Sequence, residues 1–311
     1  MSAQPQVAIV VRTKNRPHLL RRALESICAQ TFASWECVIV NDGGLPDRVD
    51  ALVDALPAEH RTRVRVLHSP DSRGRWASAN AGIAETTAAL LVLHDDDDTW
   101  HPSFLETSVR YLTQNPDRHG VVSRIQIVWE RIEGEKVHTI RTEPFLPDSV
   151  APLLMDQMRF NHFVPIAFLY RRSLHDTVGM YDERLPVIAD WQFNTHVLTA
   201  GPLEYVSPTP LAYWHQRPDA SGVDGNSVIA ERSAHAVTDA LLRDDAFRQM
   251  YSQDARGMAL YFERRIREVE ELVKAQQIAL IRELTSPVTV VLRRTLAVLR
   301  RVRRSSWGRG R

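Results

Sequence analysis

The sequence predicts an α/β fold: a mostly parallel central sheet flanked by helices, followed by a C-terminal helical extension. Three observations predict it. Short β-branched runs alternate with helical patterns up to about residue 222, as successive βαβ units do. Those runs are continuously apolar, which is how strands covered on both faces read. Beyond the Gly/Asp/Asn-rich stretch 222–226 the chain reads as helix almost throughout. The expected divisions are 1–222, 223–285 and a basic tail, 286–311.

Val7–Val11 is the first strand. Arg12–Pro17 breaks it, and Pro17 opens a helix whose apolar face is Leu20, Ala23, Leu24, Ile27 and Cys28, spaced as one helical stripe requires. Cys37–Val40 is the second strand and ends in the turn Asn41–Gly44. A helix over Asp47–Leu56 and a third strand at Val64–Leu67 complete a βαβαβ run, for which right-handed crossovers are the rule. In such sheets ligands sit at the carboxyl ends of the strands, where Thr13, Asn15 and Asp42 fall. Asx residues also make turns on their own account, so the two roles stay open here. Further on, Val121–Val128 and Phe163–Tyr170 read as strands, and 227–249 and 258–284 as helices.

Composition excludes several classes. Of 311 residues, 44% are hydrophobic and 25% charged, with a net charge of +1; this is a folded, soluble composition, not a disordered one. Two cysteines, Cys28 and Cys37, rule out a disulfide scaffold and a multi-cysteine zinc site. No apolar run approaches the ~20 residues that span a bilayer, and Val7–Val11 is too short for a secretory signal core. The expected location is the cytoplasm.

A fourth strand, Leu90–Leu93, runs directly into His94-Asp95-Asp96-Asp97-Asp98. Adjacent carboxylates repel and disfavour folding unless positive charge compensates. The strand aims this turn at the edge where a ligand would bind. Asp95 and Asp97 would share a side if the strand geometry continued, and paired carboxylates are hard donors for Mg²⁺ or Mn²⁺. A solvated acidic loop is the alternative.

These pieces together resemble the family 2 glycosyltransferases. The resemblance is carried by Val7-Ala-Ile-Val-Val-Arg-Thr-Lys-Asn-Arg16, Ser26-Ile-Cys-Ala-Gln-Thr-Phe32, Trp35-Glu-Cys-Val-Ile-Val-Asn-Asp-Gly43, Asn80-Ala-Gly-Ile83 and His94–Asp98, and extends over most of residues 7–217. It implies a GT-A fold (Rossmann-like) and transfer of a sugar from a nucleotide-sugar donor, UDP favoured, to a hydroxyl of a glycan or lipid-linked acceptor in cell-surface polysaccharide or glycoconjugate synthesis. It implies Mn²⁺ or Mg²⁺ as cofactor. Carried over residue by residue, Thr13 and Asn15 lie against the nucleoside, Asp42 meets the base, and Asn80 lines the donor phosphate and sugar. Asp95 and Asp96 fall on the donor side, and Asp97 is the direct metal ligand. Arg75 is a nearby contact for phosphate. Asp190, in Ala189-Asp-Trp-Gln-Phe193, is the catalytic base, although an Asp there also suits a helix N-cap. His215 reaches the metal or the diphosphate, or is simply a packed edge residue. Arg12 and Lys14 stand where the family more often has Pro and an aromatic, Asn41 and Ala79 replace a common Asp and Arg, and Ala189 replaces a Glu. One base opposite one metal-held leaving group predicts inversion.

A sugar nucleotidyltransferase is the rival enzyme reading, but residues 12–17 lack the glycines a triphosphate loop needs. From Ser286 to Arg311 there are eight arginines and no acid. With Val288, Val291, Leu292, Val298, Leu299 and Val302 largely on one helical face and Trp307 beyond, this segment suits an anionic membrane surface; a solvated tail is the alternative. A nucleic-acid-binding protein using that tail is disfavoured, because the rest of the chain offers no broad basic face. Phe262, Ile266, Val269 and Val273 recur at four- and three-residue spacing, which allows packing on the protein's own domain or a homodimer through the C-terminal helices.

Overall fold

A computed structural model describes residues 4–133, 136–220, 222–226, 231–252 and 256–285. The expected basic tail 286–311 lies outside the described residues. The chain divides into two compact units, Met1–Asp239 and Ala240–Arg311.

In the first unit, strands β1 (Val7–Thr13), β2 (Trp35–Asp42), β3 (Val64–Ser69) and β4 (Leu90–Asp95) are parallel neighbours in the order β3-β2-β1-β4. Helices α1 (Pro17–Cys28), α2 (Pro46–Asp54), α3 (Ala58–Arg61) and α4 (Arg75–Ala84) fill the connections. Every residue of β1 is buried, from Val7 to Thr13, which is why its run is unbroken. The β1–β4 register sets Arg12 beside Asp95, and the β1–β2 register sets Thr13 beside Asn41. Two antiparallel strands, β9 (Phe168–Arg171) and β6 (Gly120–Val122), complete a six-stranded sheet on the β4 side.

A second sheet has the order β5-β10-β7-β8, from β5 (Thr99–Trp100), β7 (Ile125–Glu133), β8 (Lys136–Pro144) and β10 (Ala212–Gln216). The single strand expected over Val121–Val128 is two strands in different sheets. The switch is at Ser123, whose N–H meets Ala167 O (2.8 Å) and whose hydroxyl accepts from Leu211 N (3.0 Å). The strand expected at Phe163–Tyr170 starts only at Phe168. Pro165 has no N–H for a ladder, and Pro165–Ala167 form a 3₁₀ turn instead.

The remaining helices of this unit are α5 (Phe104–Gln114), α6 (Leu154–Gln157), α7 (Leu174–Val178) and α8 (Ala189–Ala200). A helix α9 (Arg232–Ser252) begins in the first unit, and α10 (Arg256–Thr285) belongs to the second. Within α10 the ion pairs Arg264–Glu268 and Arg267–Glu263 support the helix at i,i+4 spacing. Among the described residues no helix is long and apolar enough to cross a membrane.

Helix α4 lies directly on β1 and β2. A Cβ built at Gly82 would run into the Val10 side chain and come within 3.1 Å of Val40 Cγ2. Gly82→Ala should therefore destabilise the protein by about 1–3 kcal/mol, despite a helix-propensity gain of up to ~1 kcal/mol. Urea unfolding measures it, and a more stable variant would show that α4 can lift off the sheet at no cost.

Candidate active site

The carboxyl ends of β1, β2 and β4 open into a cavity of about 690 Å³. Cationic side chains on its wall are Arg12, Lys14, Arg16 and Arg75; acids include Asp42, Asp95, Asp97 and Asp190.

The acidic turn is neutralised from three sides. Arg12 pairs with Asp95 and sits 4.9 Å over the Trp76 ring. Arg16, just ahead of α1, pairs with Asp96 through two N–H groups and lies 3.4 Å from Asp97. Arg217, fully buried, pairs with Asp97 and approaches Glu130 at 3.5 Å. Burial drives the carboxyl of Asp96 upward, and the charge of Asp97 adds to this against Arg16. For Asp97, burial is outweighed by Arg16 and then Arg217, which hold it at about 2. Asp98 is driven well up by burial and by its neighbours Asp97 and Asp95, although His215 N donates to it (2.9 Å).

Arg217 also fastens the loop that follows β10. Its N–H donates to Asn226 Oδ1 (2.6 Å) and its Nε to Asp224 O (3.0 Å), while Asn226 Nδ2 donates to His215 O (2.9 Å). Arg75 is held by both carboxylate oxygens of Glu231 at 3.0 Å.

Asp190 lies in the first turn of α8 and on the cavity wall. The residue before the helix, Ile188, has a left-handed backbone (φ 60°, ψ 9°). For a β-branched residue this costs about 1–2 kcal/mol, and such strain gathers where a side chain must be aimed. Burial raises the carboxyl of Asp190, opposed mainly by Arg12.

The structure thus brings Thr13, Asp42, Arg75, Asp95, Asp97 and Asp190 to one wall. Asp42 is already anchored: it accepts from Ser72 Oγ (2.7 Å), Arg73 N (2.7 Å) and Gly74 N (3.1 Å), so it shapes the loop before α4 as well as facing the cavity. Four expected residues stand elsewhere. Asn15, at φ 56°, accepts from Leu45 N (3.1 Å) and joins two loops. Asn80 does not line the cavity; it binds Tyr181 O and Glu183 Oε1, each at 2.9 Å, and accepts from Tyr181 N. Asp96 is buried beneath the turn. His215 lies behind the wall with both ring nitrogens engaged, Nδ1 by Glu130 Oε1 (2.6 Å) and Nε2 by Thr99 Oγ1 (2.8 Å). The lone-histidine signal could not separate a ligand from a member of this buried cluster. Conversely, Arg16, Arg217 and Asn226 were missed as site residues, though the need to balance four adjacent acids was a signal to look for arginines.

A divalent ion fits this donor set in one form. Among the described residues no three His, Cys, Asp or Glu side chains converge to cage a metal. Asp95 and Asp97 at the cavity wall do supply two hard carboxylates, and Mg²⁺ is commonly held by one or two carboxylates with the substrate's phosphate oxygens.

Residues 8–179, more than half of the chain, match the sequence model of Glycosyl transferase family 2. The chain belongs to the family 2 glycosyltransferases. An uncharacterized glycosyltransferase, YwdF of Bacillus subtilis, is 31% identical over 191 residues, 60% of this chain and 66% of that protein. The succinoglycan biosynthesis protein ExoO of Rhizobium meliloti is 27% identical over 258 residues, 80% of this chain and 70% of that one. This glycosyltransferase has the GT-A fold. It superposes on a Pyrobaculum calidifontis mannosyltransferase solved with GDP-Man and Mn²⁺ (TM-score 0.58, 17% identity, 96% of this chain and 81% of that one). It also superposes on S. aureus TarS 1-349 solved with UDP-GlcNAc (TM-score 0.54, 16% identity, 70% and 60%). It therefore spans about two thirds of the Bacillus relative and three fifths of that TarS fragment.

Removing one partner from a buried ion pair costs roughly 3–5 kcal/mol. Arg217→Met should destabilise the enzyme by about that amount, and adding Asp97→Asn should recover part of the loss. A double-mutant cycle by chemical denaturation measures the coupling; a single-variant loss below about 1 kcal/mol would mean that Arg217 does not compensate the turn.

Proposed function

We propose that this glycosyltransferase moves one sugar at a time from a nucleoside-diphosphate donor, UDP favoured, to a hydroxyl of a glycan or lipid-linked acceptor, with inversion at the anomeric carbon. One observation carries the reading: a single cavity holds both the cationic and acidic wall around Asp95 and Asp97 and the carboxyl of Asp190, whose basicity is raised by burial. The succinoglycan relative supports a role in polysaccharide synthesis.

In this scheme Asp190 takes the proton of the acceptor hydroxyl as its oxygen attacks the anomeric carbon. The bond to the diphosphate breaks on the opposite face. Lys14 meets the charge that develops on the leaving group, and Arg75 joins it once Glu231 releases it, while Arg12 and Arg16 stay paired with Asp95 and Asp96. Asp95 and Asp97 would hold a divalent ion against the diphosphate, where it supplies further charge neutralisation. Asp42 and Thr13 hold the nucleoside end.

Asp190→Asn should lower transfer by about 10²-fold or more, while the thermal shift produced by the donor nucleotide with Mn²⁺ or Mg²⁺ stays near wild type. Because burial raises Asp190, the acid limb of the wild-type rate profile should lie above the ordinary carboxylate range: activity is present above that pKa and is lost as pH falls through it. Near-normal turnover by Asp190→Asn would end the base assignment.

The arginine-rich segment 286–311 gives this reading a membrane side. At about 1 kcal/mol per basic residue near an anionic surface, it suits reversible attachment where lipid-linked acceptors are found. Co-sedimentation with phosphatidylserine vesicles should drop when 286–311 is removed, and equal binding by both forms would overturn the attachment.

A further inference from the structure

The segment between α6 and β9 carries a polar group that the scheme above does not use. Asn161 Nδ2 donates to Asp190 Oδ2 at 2.7 Å. Its other end is held from behind: Asn161 Oδ1 accepts from Gln157 Nε2 (2.8 Å) and from Asn194 Nδ2 (3.2 Å). Those two amides are themselves fixed. Gln157 Oε1 accepts from His162 N (2.8 Å), and Asn194 Nδ2 also donates to Phe163 O (2.9 Å). Gln157 is fully buried and Asn194 is 3% exposed. The indole N–H of Trp191, next to the base, donates to Gln157 O (2.5 Å).

This network has one allowed sense. An amide oxygen only accepts and an amide NH₂ only donates. Turning the Asn161 amide over would set its NH₂ against two N–H donors and its oxygen against a carboxylate. The NH₂ is therefore directed at Asp190, and a neutral donor there can engage only one carboxylate oxygen per N–H. We propose that Asn161, oriented by Gln157 and Asn194, is a positioning residue that ties down Asp190 Oδ2 and so presents Oδ1 to the acceptor hydroxyl. This rests on the assignment of Asp190 as the base.

The arrangement divides two tasks between the oxygens of one carboxyl. Oδ2 belongs to the scaffold: α6 and α8 are both bound to it through the amides. Oδ1 belongs to the chemistry. The donated hydrogen bond favours the charged form of the carboxyl, as does the one from the Trp191 backbone N–H, which no change at Asn161 removes, against the burial that raises it. The other charged groups acting on Asp190 are Arg12, Asp95 and Arg75, and none of them is altered by a change at Asn161.

The test is a ¹³C-carboxyl NMR titration of the full-length enzyme labelled at aspartate, with the Asp190 signal identified by its loss in Asp190→Asn. In Asn161→Ala that signal should titrate about one pH unit higher than in wild type. In the isosteric Asn161→Asp, where a second carboxyl faces the first, the displacement should be larger. Release of UDP from UDP-glucose to water, run on the same proteins, should show kcat reduced at least fivefold with KM within twofold. Wild-type titration and kcat in both Asn161 variants, with Asp190→Asn inactive, would overturn the positioning role of Asn161 and leave the base assignment standing. Turnover retained in Asp190→Asn would remove both. A titration unchanged while KM alone rises would mean that Asn161 only shapes the pocket.

Discussion

The arrangement of the site depends on how four consecutive acids at the end of a buried strand are made tolerable. β4 delivers the turn with its strand residues wholly buried up to His94, so the carboxyls cannot all relax into water. Guanidinium groups from three different parts of the chain meet them: Arg12 from β1, Arg16 from the start of α1 and Arg217 after β10. Each is placed by a backbone feature. Arg12 is the register partner of Asp95, and Arg16 directly precedes Pro17, which fixes the first turn of α1. Arg217 follows a strand whose partner β7 carries Glu130 on the same buried cluster. The planar fork suits these contacts as a lysine would not.

Asp190 is set by contrasting means. No opposite charge lies in direct contact with it among the contacts described; neutral amides and a left-handed turn hold it instead. Under the proposed roles, the difference matches two tasks. A carboxylate that helps bind a diphosphate must stay ionised, and Asp97 is held down at about 2 by Arg16 and Arg217 against the effect of burial. A general base must keep affinity for a proton. An arginine in direct contact would remove that affinity, whereas an amide orients the group with less effect on it. Arg12 acts on Asp190 through its charge and not by direct contact, its two Nη groups being turned to Asp95 and to Arg75 O.

The parallel half of the fold was legible in the sequence because its signal is local. Four continuous apolar runs and an amphipathic first helix mark β1 to β4 and α1, and the acidic turn marks the edge where the cavity opens. The second half was harder because its strands change sheets at single residues. Ser123 and Pro165 end pairings that the apolar pattern would extend, and the largely exposed β8 carries no continuous apolar run. At the site, residues that act through charge at the strand ends could be named, and Asp95, Asp97 and Asp190 do face one cavity. Arg217 and Asn161 could not be. Their partners are 120 and 29 residues away in the chain, and nothing in a lone arginine or asparagine reports such a distance. Asn15 and Asn80 show the converse: the Asn15 side-chain oxygen holds Leu45 N and the Asn80 amide ties α4 to Tyr181 and Glu183, contacts that an isolated Asn in the sequence does not report.

Asp95, Asp96 and Asp97 each already face a guanidinium, so those arginines are not idle cations waiting for a phosphate. A diphosphate entering this cavity adds two or more negative charges to a cluster already balanced among its own residues. Unpaired, charge in such a setting is costly. The remaining cationic groups on the wall are Lys14 and Arg75, and Arg75 is engaged by Glu231 at the start of α9. Donor binding must then either draw Arg75 away from Glu231 or bring its own counter-charge, and a divalent ion at Asp95 and Asp97 would supply it. The first route couples Glu231 to the arrival of donor phosphate; the second makes donor and ion bind as one unit. Both follow from the same constraint, that the acids which define the site are already balanced before any ligand enters.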